Sequence, residues 1–212
     1  MLRRNIDGCA ATAKVPIMPL SEPQERELLH LRDIALRGFQ RADGMFDVEA
    51  RLTDTKTYGF SNEDRGRIEA GEALHGMWAR MTVDEALLIH RFEVAMDHTP
   101  FAVCPGAAPN FARLAGLTIG RGFLKEAAKR VGGVEGCTHI REMLQQMATV
   151  AYQTLYPVRL RKRAELARPD GPRSAPALLN TCHGWSSDSP VIARGWPEFY
   201  TGPGKERATA AE

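Results

Sequence analysis

The chain has 212 residues, of which 43% are hydrophobic and 25% are charged, a composition typical of a globular protein with a substantial core. The 28 basic and 26 acidic residues nearly cancel, which leaves a formal net charge of +2. Because no strong positive field would attract polyanions, we expect no nucleic-acid partner and no membrane partner.

The first 25 residues are predicted to form a flexible leader, since prolines stand there among small and polar residues. Asn5, Asp7 and Gly8 interrupt any apolar run, which argues against a secretory signal peptide. No apolar stretch in the sequence is long enough to span a bilayer. A cytoplasmic location is therefore expected, and in the cytoplasm cysteines serve as thiols or metal ligands more often than as disulfides.

About four strands of a mostly antiparallel sheet are predicted between residues 27 and 98. The first strand is expected within 27–40 and is followed by the turn signal Asp43-Gly44. From residue 46 to 53 apolar and polar residues alternate, a pattern typical of a strand with one buried face. Two further strands are expected at 75–83 and 88–98. Their short connections predict that the strands are joined in hairpin order.

Three helices are predicted after the sheet. The first is expected around residues 109–115, and the second at 122–131, before a glycine pair that favours a helix end. The third is the clearest, because apolar residues recur at helical spacing from Thr138, the expected N-cap, to residue 155. Pro157 is predicted to end or bend this helix. The predicted fold class is therefore α+β.

The domain organisation follows from composition. A core domain is expected at 26–157, followed by a basic and proline-rich linker at 158–177. An aromatic tail at 178–200, which contains Cys182 and His183, is predicted to pack on the core. The last segment, 201–212, is predicted to be disordered.

Three residues stand where soft or borderline metal ligands would be held by the ends of secondary-structure elements. His75 opens a strand on its apolar face, Cys104 follows a strand end, and Cys137 lies at the start of the third helix. Zinc and iron accept this mixture of thiolate and imidazole ligands, so we predict a mononuclear Zn or Fe site. For a single cysteine the structural alternative is packing as a small buried hydrophobe, and for His75 it is a hydrogen-bonded core histidine.

Two further residues are candidates for proton transfer. Asp54 has the parity of the buried face of its strand, and a buried carboxylate must be paired or ligating, with Lys56 as the nearby cation. His139 lies two residues after Cys137 and completes a Cys-Thr-His motif. We predict that Asp54 or His139 moves protons or provides a fourth ligand.

The segment 42–56, together with His75, Cys104-Pro105 and Gly136-Cys137-Thr138-His139, resembles a bacterial family known only as a domain of unknown function. The stretch from residue 74 to 151 is also similar, more distantly, to iron–sulfur scaffold proteins of the IscU and NifU type. That resemblance implies an IscU-like arrangement in which His75, Cys104 and Cys137 occupy the positions of the three scaffold cysteines. Since His75 replaces a thiolate and Met77 an acidic residue, a mononuclear metal is favoured over an Fe–S cluster.

Three functional hypotheses follow. The first is a small metal-dependent hydrolase or lyase, acting on a small carbonyl or acyl compound as substrate. The second is a scaffold or carrier of zinc or an iron–sulfur cluster without catalysis, which would have a protein partner. The third is a metal-free enzyme with Cys137 as nucleophile and His139 or His75 as base.

Overall fold

The computed structural model describes residues 20–166 and 173–203, without the side chains of residues 163, 164 and 166. Most of the predicted leader and of the predicted disordered end lie outside the described residues, as does the middle of the predicted linker. The chain divides into two compact units, residues 1–157 and residues 158–212, and each unit is described by itself.

The first unit is built on a four-stranded antiparallel sheet in the order β1-β2-β5-β6, so the predicted hairpin order is confirmed. A separate two-stranded sheet, β3 with β4, lies in the connection that the sequence presented as a polar loop. The strands are β1 His30–Gln40, β2 Phe46–Lys56, β3 Phe60–Asn62, β4 Gly66–Ile68, β5 Ala73–Val83 and β6 Ile89–His98.

The core lies on one face of the large sheet. Along β2 the residues at even positions from Phe46 to Asp54 are at most 1% exposed, whereas the alternate residues are partly exposed or exposed. This strict alternation confirms the strand that the sequence predicts, because successive side chains of a strand point to opposite faces. Asp54 is the one charged residue in the buried series of β2.

Helices follow the sheet, which confirms the α+β fold class. They are a 3-10 helix at Cys104–Leu114, α1 at Phe123–Val131, a short 3-10 helix at Gly133–Glu135 and α2 at Thr138–Leu166. Thr138 is the first residue of α2 rather than its cap, and the carbonyl of Cys137 accepts a hydrogen bond from the Arg141 N–H at 3.0 Å. Pro157 does not end α2, so the first nine residues of the predicted linker are helical.

Helix α2 lies along the buried face of the sheet beside β1. Its apolar stripe, which includes Ile140, Met143 and Met147, is fully buried. At Gly38 of β1 a Cβ atom would come within 1.9 Å of the Thr154 Oγ1. The absence of a side chain at Gly38 therefore permits this close approach of helix and strand.

The second unit contains the end of α2 and a short C-terminal segment, in which α3 at Pro190–Gly195 stands between two 3-10 turns at 183–185 and 197–199. The Ser189 hydroxyl caps α3, and the rings of Trp185 and Trp196 lie 5.3 Å apart. Cys182 and His183 are exposed in this unit. The packing of this tail on the core stays a prediction. Within the described residues no helix combines the length and apolar character needed to cross a bilayer.

Candidate metal centre

The strand register places three polar residues side by side on the buried face of the sheet. Arg32 of β1 is the cross-strand partner of Asp54 in β2, and Asp54 is the cross-strand partner of His75 in β5. Side chains of directly opposed residues on one face come within contact distance. Next to this row, between Asp54 and Thr55, the pairing of β2 with β5 shifts in register. The sheet alone thus brings a guanidinium, a carboxylate and an imidazole together.

Asp54 is completely buried and fully paired. The Arg32 guanidinium donates from Nε to Oδ1 at 2.7 Å and from Nη2 to Oδ2 at 2.8 Å, a bidentate ion pair. The His75 Nδ1 lies 2.8 Å from the same Oδ2, and the His30 Nε2 lies 3.4 Å from Oδ1. The cation that compensates Asp54 is Arg32 rather than the predicted Lys56.

Helix α2 completes the cluster from above the sheet. The His139 ring lies 3.9 Å from the His75 ring, centroid to centroid, and the His139 Nε2 is 3.9 Å from the Asp54 Oδ2. One helical turn further, Glu142 accepts a hydrogen bond from the Arg32 Nη1 at 2.7 Å. The first turn of α2 therefore supplies an imidazole to the carboxylate and a second carboxylate to the guanidinium.

One potential ligand atom from each of Asp54, His75 and His139 lies within 4.8 Å of the others. A tetrahedral ion about 2.0–2.2 Å from each donor sets the donors about 3.3–3.6 Å apart, so atoms at the 4.8 Å limit would have to approach one another by up to about 1.5 Å. Two imidazoles and one carboxylate suit zinc, and two-histidine, one-carboxylate sets also bind iron in non-haem sites.

The histidines are held in the form that a metal requires. Burial lowers the pKa of His75, the nearby charge of His139 lowers it further, and Asp54 offsets only part of this effect. Burial also lowers the pKa of His139, and the charge of Arg32 acts in the same direction. Neutral imidazoles have a free nitrogen lone pair for a metal ion or a proton.

The carboxylate of Asp54 is held in its charged form. Burial raises the pKa of Asp54, but the hydrogen bonds and the charge of Arg32, together with His75, outweigh burial, so the pKa of Asp54 lies below its ordinary value. Arg32 responds in the opposite sense, because its hydrogen bonds to Asp54 raise the pKa of the guanidinium. The cluster therefore holds a carboxylate anion beside neutral imidazoles near neutral pH.

The structure brings together His75, Asp54 and His139 of the five predicted site residues. Cys137 is adjacent to them, since its Sγ lies 3.7 Å from the His139 Nδ1. Cys104 is a half-buried free thiol at the start of the 3-10 helix, and it belongs to no group of three metal-ligating side chains found among the described residues.

Three residues of the cluster, His30, Arg32 and Glu142, were missed by sequence reasoning. Arg32 could have been found by pairing β1 with β2 through the Asp43-Gly44 turn, because that hairpin register carries Arg32 opposite Asp54. Glu142 carried a weaker signal. It lies three residues after His139, on the same side of α2.

An open cavity of about 350 Å³ lies between α1 and α2, next to the cluster. Leu124 and Ala127 line it from α1, and Thr138, Arg141 and Glu142 line it from α2. Glu142 is thus shared by the cavity and by the hydrogen-bond network of Arg32 and Asp54. A small molecule in this cavity would lie one side chain away from Arg32.

Comparison with protein-family models identifies a family for this chain. The profile of a family described as protein of unknown function (DUF2889) matches residues 30–153, which span β1 through most of α2 and contain the whole cluster. No curated protein matches the chain, and no solved structure matches it.

Proposed function

Because this chain belongs to the DUF2889 family of unknown function, we propose its function from the site itself: a small cytoplasmic enzyme that binds zinc or iron. Asp54, His75 and His139 are its ligands, and its reaction is the hydrolysis or the lyase-type cleavage of a small carbonyl or acyl compound. One observation carries the proposal, namely that potential ligand atoms of these three side chains, from two strands and a helix, lie within 4.8 Å of one another.

The ligand set of the proposal differs from the one predicted from the sequence. Asp54 and His139 take the place of Cys104 and Cys137, while His75 is common to both sets. Three protein ligands leave a coordination position for water or substrate, the arrangement of catalytic rather than structural sites. The metal ion would polarise a carbonyl group bound at that position, or lower the pKa of a water molecule bound there.

Arg32 and Glu142 have positioning roles in this proposal. A carboxylate has about four lone-pair sites, and Asp54 uses two of them to accept from Arg32. A metal ion bound by both Asp54 and His75 would replace the present hydrogen bond between these two side chains. The Arg32 guanidinium fixes the plane of that carboxylate through two hydrogen bonds, and Glu142 fixes Arg32 in turn. Hydrogen-bonded partners of this kind orient metal ligands in many sites.

The proposal is tested by the metal content of the full chain, purified without a histidine tag and measured by elemental analysis after incubation with zinc or iron(II). We expect one bound equivalent, lost in His75→Ala and in His139→Ala. His90→Ala is the matched control, because the exposed His90 also pairs with a carboxylate, Asp84, at 2.9 Å. Retention of the metal in His75→Ala, or no binding in the unaltered chain, would overturn the proposal.

Catalysis is tested separately. A panel of small esters, thioesters, lactones and hydroxycarbonyl compounds is screened with the zinc-loaded and iron-loaded protein. We expect turnover of at least one compound class, abolished by a chelator and restored by added metal. A metal-loaded protein that turns over none of these classes would refute the hydrolase or lyase assignment while leaving metal binding intact.

A second candidate function is favoured by the contact between Cys137 and His139. The Cys137 thiol lies 3.7 Å from an imidazole nitrogen, just before a helix, a position that suits a thiolate nucleophile. His139 would be the base, or His75, whose ring lies 3.9 Å from the His139 ring. Alkylation of Cys137 in metal-free protein distinguishes this reading, with Cys104 as the internal control. Fast alkylation that His139→Gln slows and that zinc leaves unchanged favours the nucleophile, whereas protection by zinc favours the metal site.

The IscU-like scaffold stays a prediction. It requires Cys104 and Cys137 to bind a cluster together with His75 and implies a protein partner that receives it. A visible absorption band after anaerobic reconstitution with iron and sulfide, lost in Cys104→Ala, would support the scaffold. A colourless protein that binds zinc would exclude the cluster scaffold, and turnover in the substrate screen would then distinguish the enzyme from a zinc carrier.

A further inference from the structure

Strand β1 has one free edge. It stands first in the sheet order and pairs with β2 along all of its 11 residues. On its other side it pairs with no strand of the described chain. Every second residue of β1 therefore directs its N–H and C=O groups away from the sheet, where they can pair with another strand.

This edge lacks several of the features that usually prevent strand addition. Its ladder with β2 has no register shift, and its sequence contains no proline and no lysine. Leu31 and Phe39 are 46% and 43% exposed on it. A long, regular edge with exposed apolar side chains is a site of pairing with a further strand.

Two charged residues, Asp33 and Arg37, stand on the outer face of β1 between Leu31 and Phe39. Both are exposed, and within the part of the chain that the structure describes neither forms an ion pair. They lie symmetrically about Ala35, as do the two apolar residues. The outer face of one β1 strand therefore complements the outer face of a second β1 strand that runs antiparallel to it.

We propose that two copies of this chain pair through β1 in antiparallel orientation about Ala35, which makes a two-fold symmetric dimer with one continuous sheet of eight strands. In this register Asp33 faces the partner's Arg37, and Leu31 faces the partner's Phe39, each contact occurring twice. A two-fold interface repeats every contact in this way, so a pair of complementary residues counts double.

Charge complementarity selects this register. A shift by two residues in one direction sets Leu31 against the partner's Arg37, and a shift in the other direction sets Asp33 against the partner's Phe39. Only the register about Ala35 joins opposite charges and joins apolar residues to each other on the outer face. On the inner face the same register sets Ile34 against the partner's Leu36. The dimer is independent of the proposed catalytic function, because Asp33 and Arg37 lie on the opposite face of β1 from Arg32.

Charge reversal tests the dimer in the full chain by sedimentation equilibrium over a range of protein concentrations. We expect the unaltered chain to dimerise. Asp33→Arg or Arg37→Asp alone should weaken the dimer by about tenfold or more, because each places like charges opposite each other twice. The double variant Asp33→Arg/Arg37→Asp restores the ion pairs and should recover most of the affinity.

A disulfide tests the register. In the Ala35→Cys variant the two thiols face each other across the axis and should form a bond on mild oxidation. In the matched control Arg37→Cys the two positions are about 14 Å apart along the strands, beyond the reach of a disulfide. The tryptic peptide that contains the bond is identified by mass spectrometry.

Each outcome decides the proposal. Dimers of the unaltered chain, weakened by each single reversal and rescued by the double variant, support it. A chain that stays monomeric at several hundred micromolar would overturn it. So would a dimer that the reversals leave unchanged, or equal crosslinking of Ala35→Cys and Arg37→Cys.

Discussion

Replacing Asp54 by asparagine keeps the shape of the side chain and removes the negative charge on which the cluster depends. Asp54 is fully buried and makes a bidentate pair with Arg32. Removing one partner of a buried ion pair costs about 3–5 kcal/mol, because the other charge is left uncompensated. Because Arg32 is 32% exposed and keeps its hydrogen bond to Glu142, we expect a smaller loss than for a fully buried pair, about 2–3 kcal/mol.

The assay is thermal and urea unfolding of the chelator-treated protein at pH 7, followed by circular dichroism. For a chain of this size about 2–3 kcal/mol corresponds to a Tm lower by about 4–12 °C. Glu49→Gln is the matched control, because Glu49 pairs with Arg80 on the exposed face of the same strand at 2.8 Å. An exposed pair contributes at most about 1 kcal/mol. Equal losses of stability in Asp54→Asn and Glu49→Gln would refute the role assigned to the buried carboxylate.

Two further predictions concern stability. In the metal-free protein the free energy of unfolding should fall between pH 7 and pH 5, because His75 and His139 bind protons less readily when folded than their ordinary pKa of 6.5 implies. The two neutral histidines contribute fully to the free energy of unfolding above pH 6.5. This contribution is lost as the pH falls towards their lower pKa values in the folded protein. The double variant His75→Gln/His139→Gln should show a shallower slope in urea titrations at several pH values, and an unchanged slope would contradict this. Gly38→Ala should destabilise by about 1–3 kcal/mol, since the new methyl group meets Thr154 of α2. The control is Gly106→Ala, which has open space at its Cβ. A Gly38→Ala variant as stable as this control in thermal unfolding would show that α2 can move to accommodate the methyl group at little cost.

The sheet could be predicted because the two-residue period of its strands is a local property of the sequence. The alternation from Phe46 to Asp54 predicted both the strand and the buried position of the carboxylate, and both predictions are confirmed. The hairpin β3–β4 was missed because its strands have only three residues each, too few to show a period. Pro157 was predicted to end or bend the last helix. It does not end α2, which continues to Leu166, and a bend at Pro157 stays a prediction. A proline inside a helix removes one backbone hydrogen bond and can kink the helix without ending it.

The cluster could be predicted only in part, because its members come from separate elements. The parity of β2 and β5 predicted that Asp54 and His75 lie on the buried face. Their pairing with Arg32 depends on the registers of two hairpins, one of which contains an irregularity next to Asp54. The positions of His139 and Glu142 depend on where α2 crosses the sheet, a matter of tertiary packing.

Cys104 shows the limit of reasoning from element ends. It does follow the last strand of the sheet, as predicted. That strand is β6, which pairs with β5, the strand of His75. Strand β5 separates β6 from β2 and β1, which supply Asp54 and Arg32. The end of a strand does not determine which neighbouring strand the following loop approaches. The sequence pattern therefore could not decide whether Cys104 belongs to the cluster.

The measurement that tests the central claim most directly is X-ray absorption at the metal edge of the zinc-loaded chain. The proposed ligands Asp54, His75 and His139 offer only nitrogen and oxygen, so we predict a single shell of neighbours at about 2.0–2.1 Å and imidazole scattering beyond it. Any shell at about 2.3 Å would be sulfur. Sulfur in the first shell would place a cysteine, such as Cys104 or Cys137, on the metal and contradict the account.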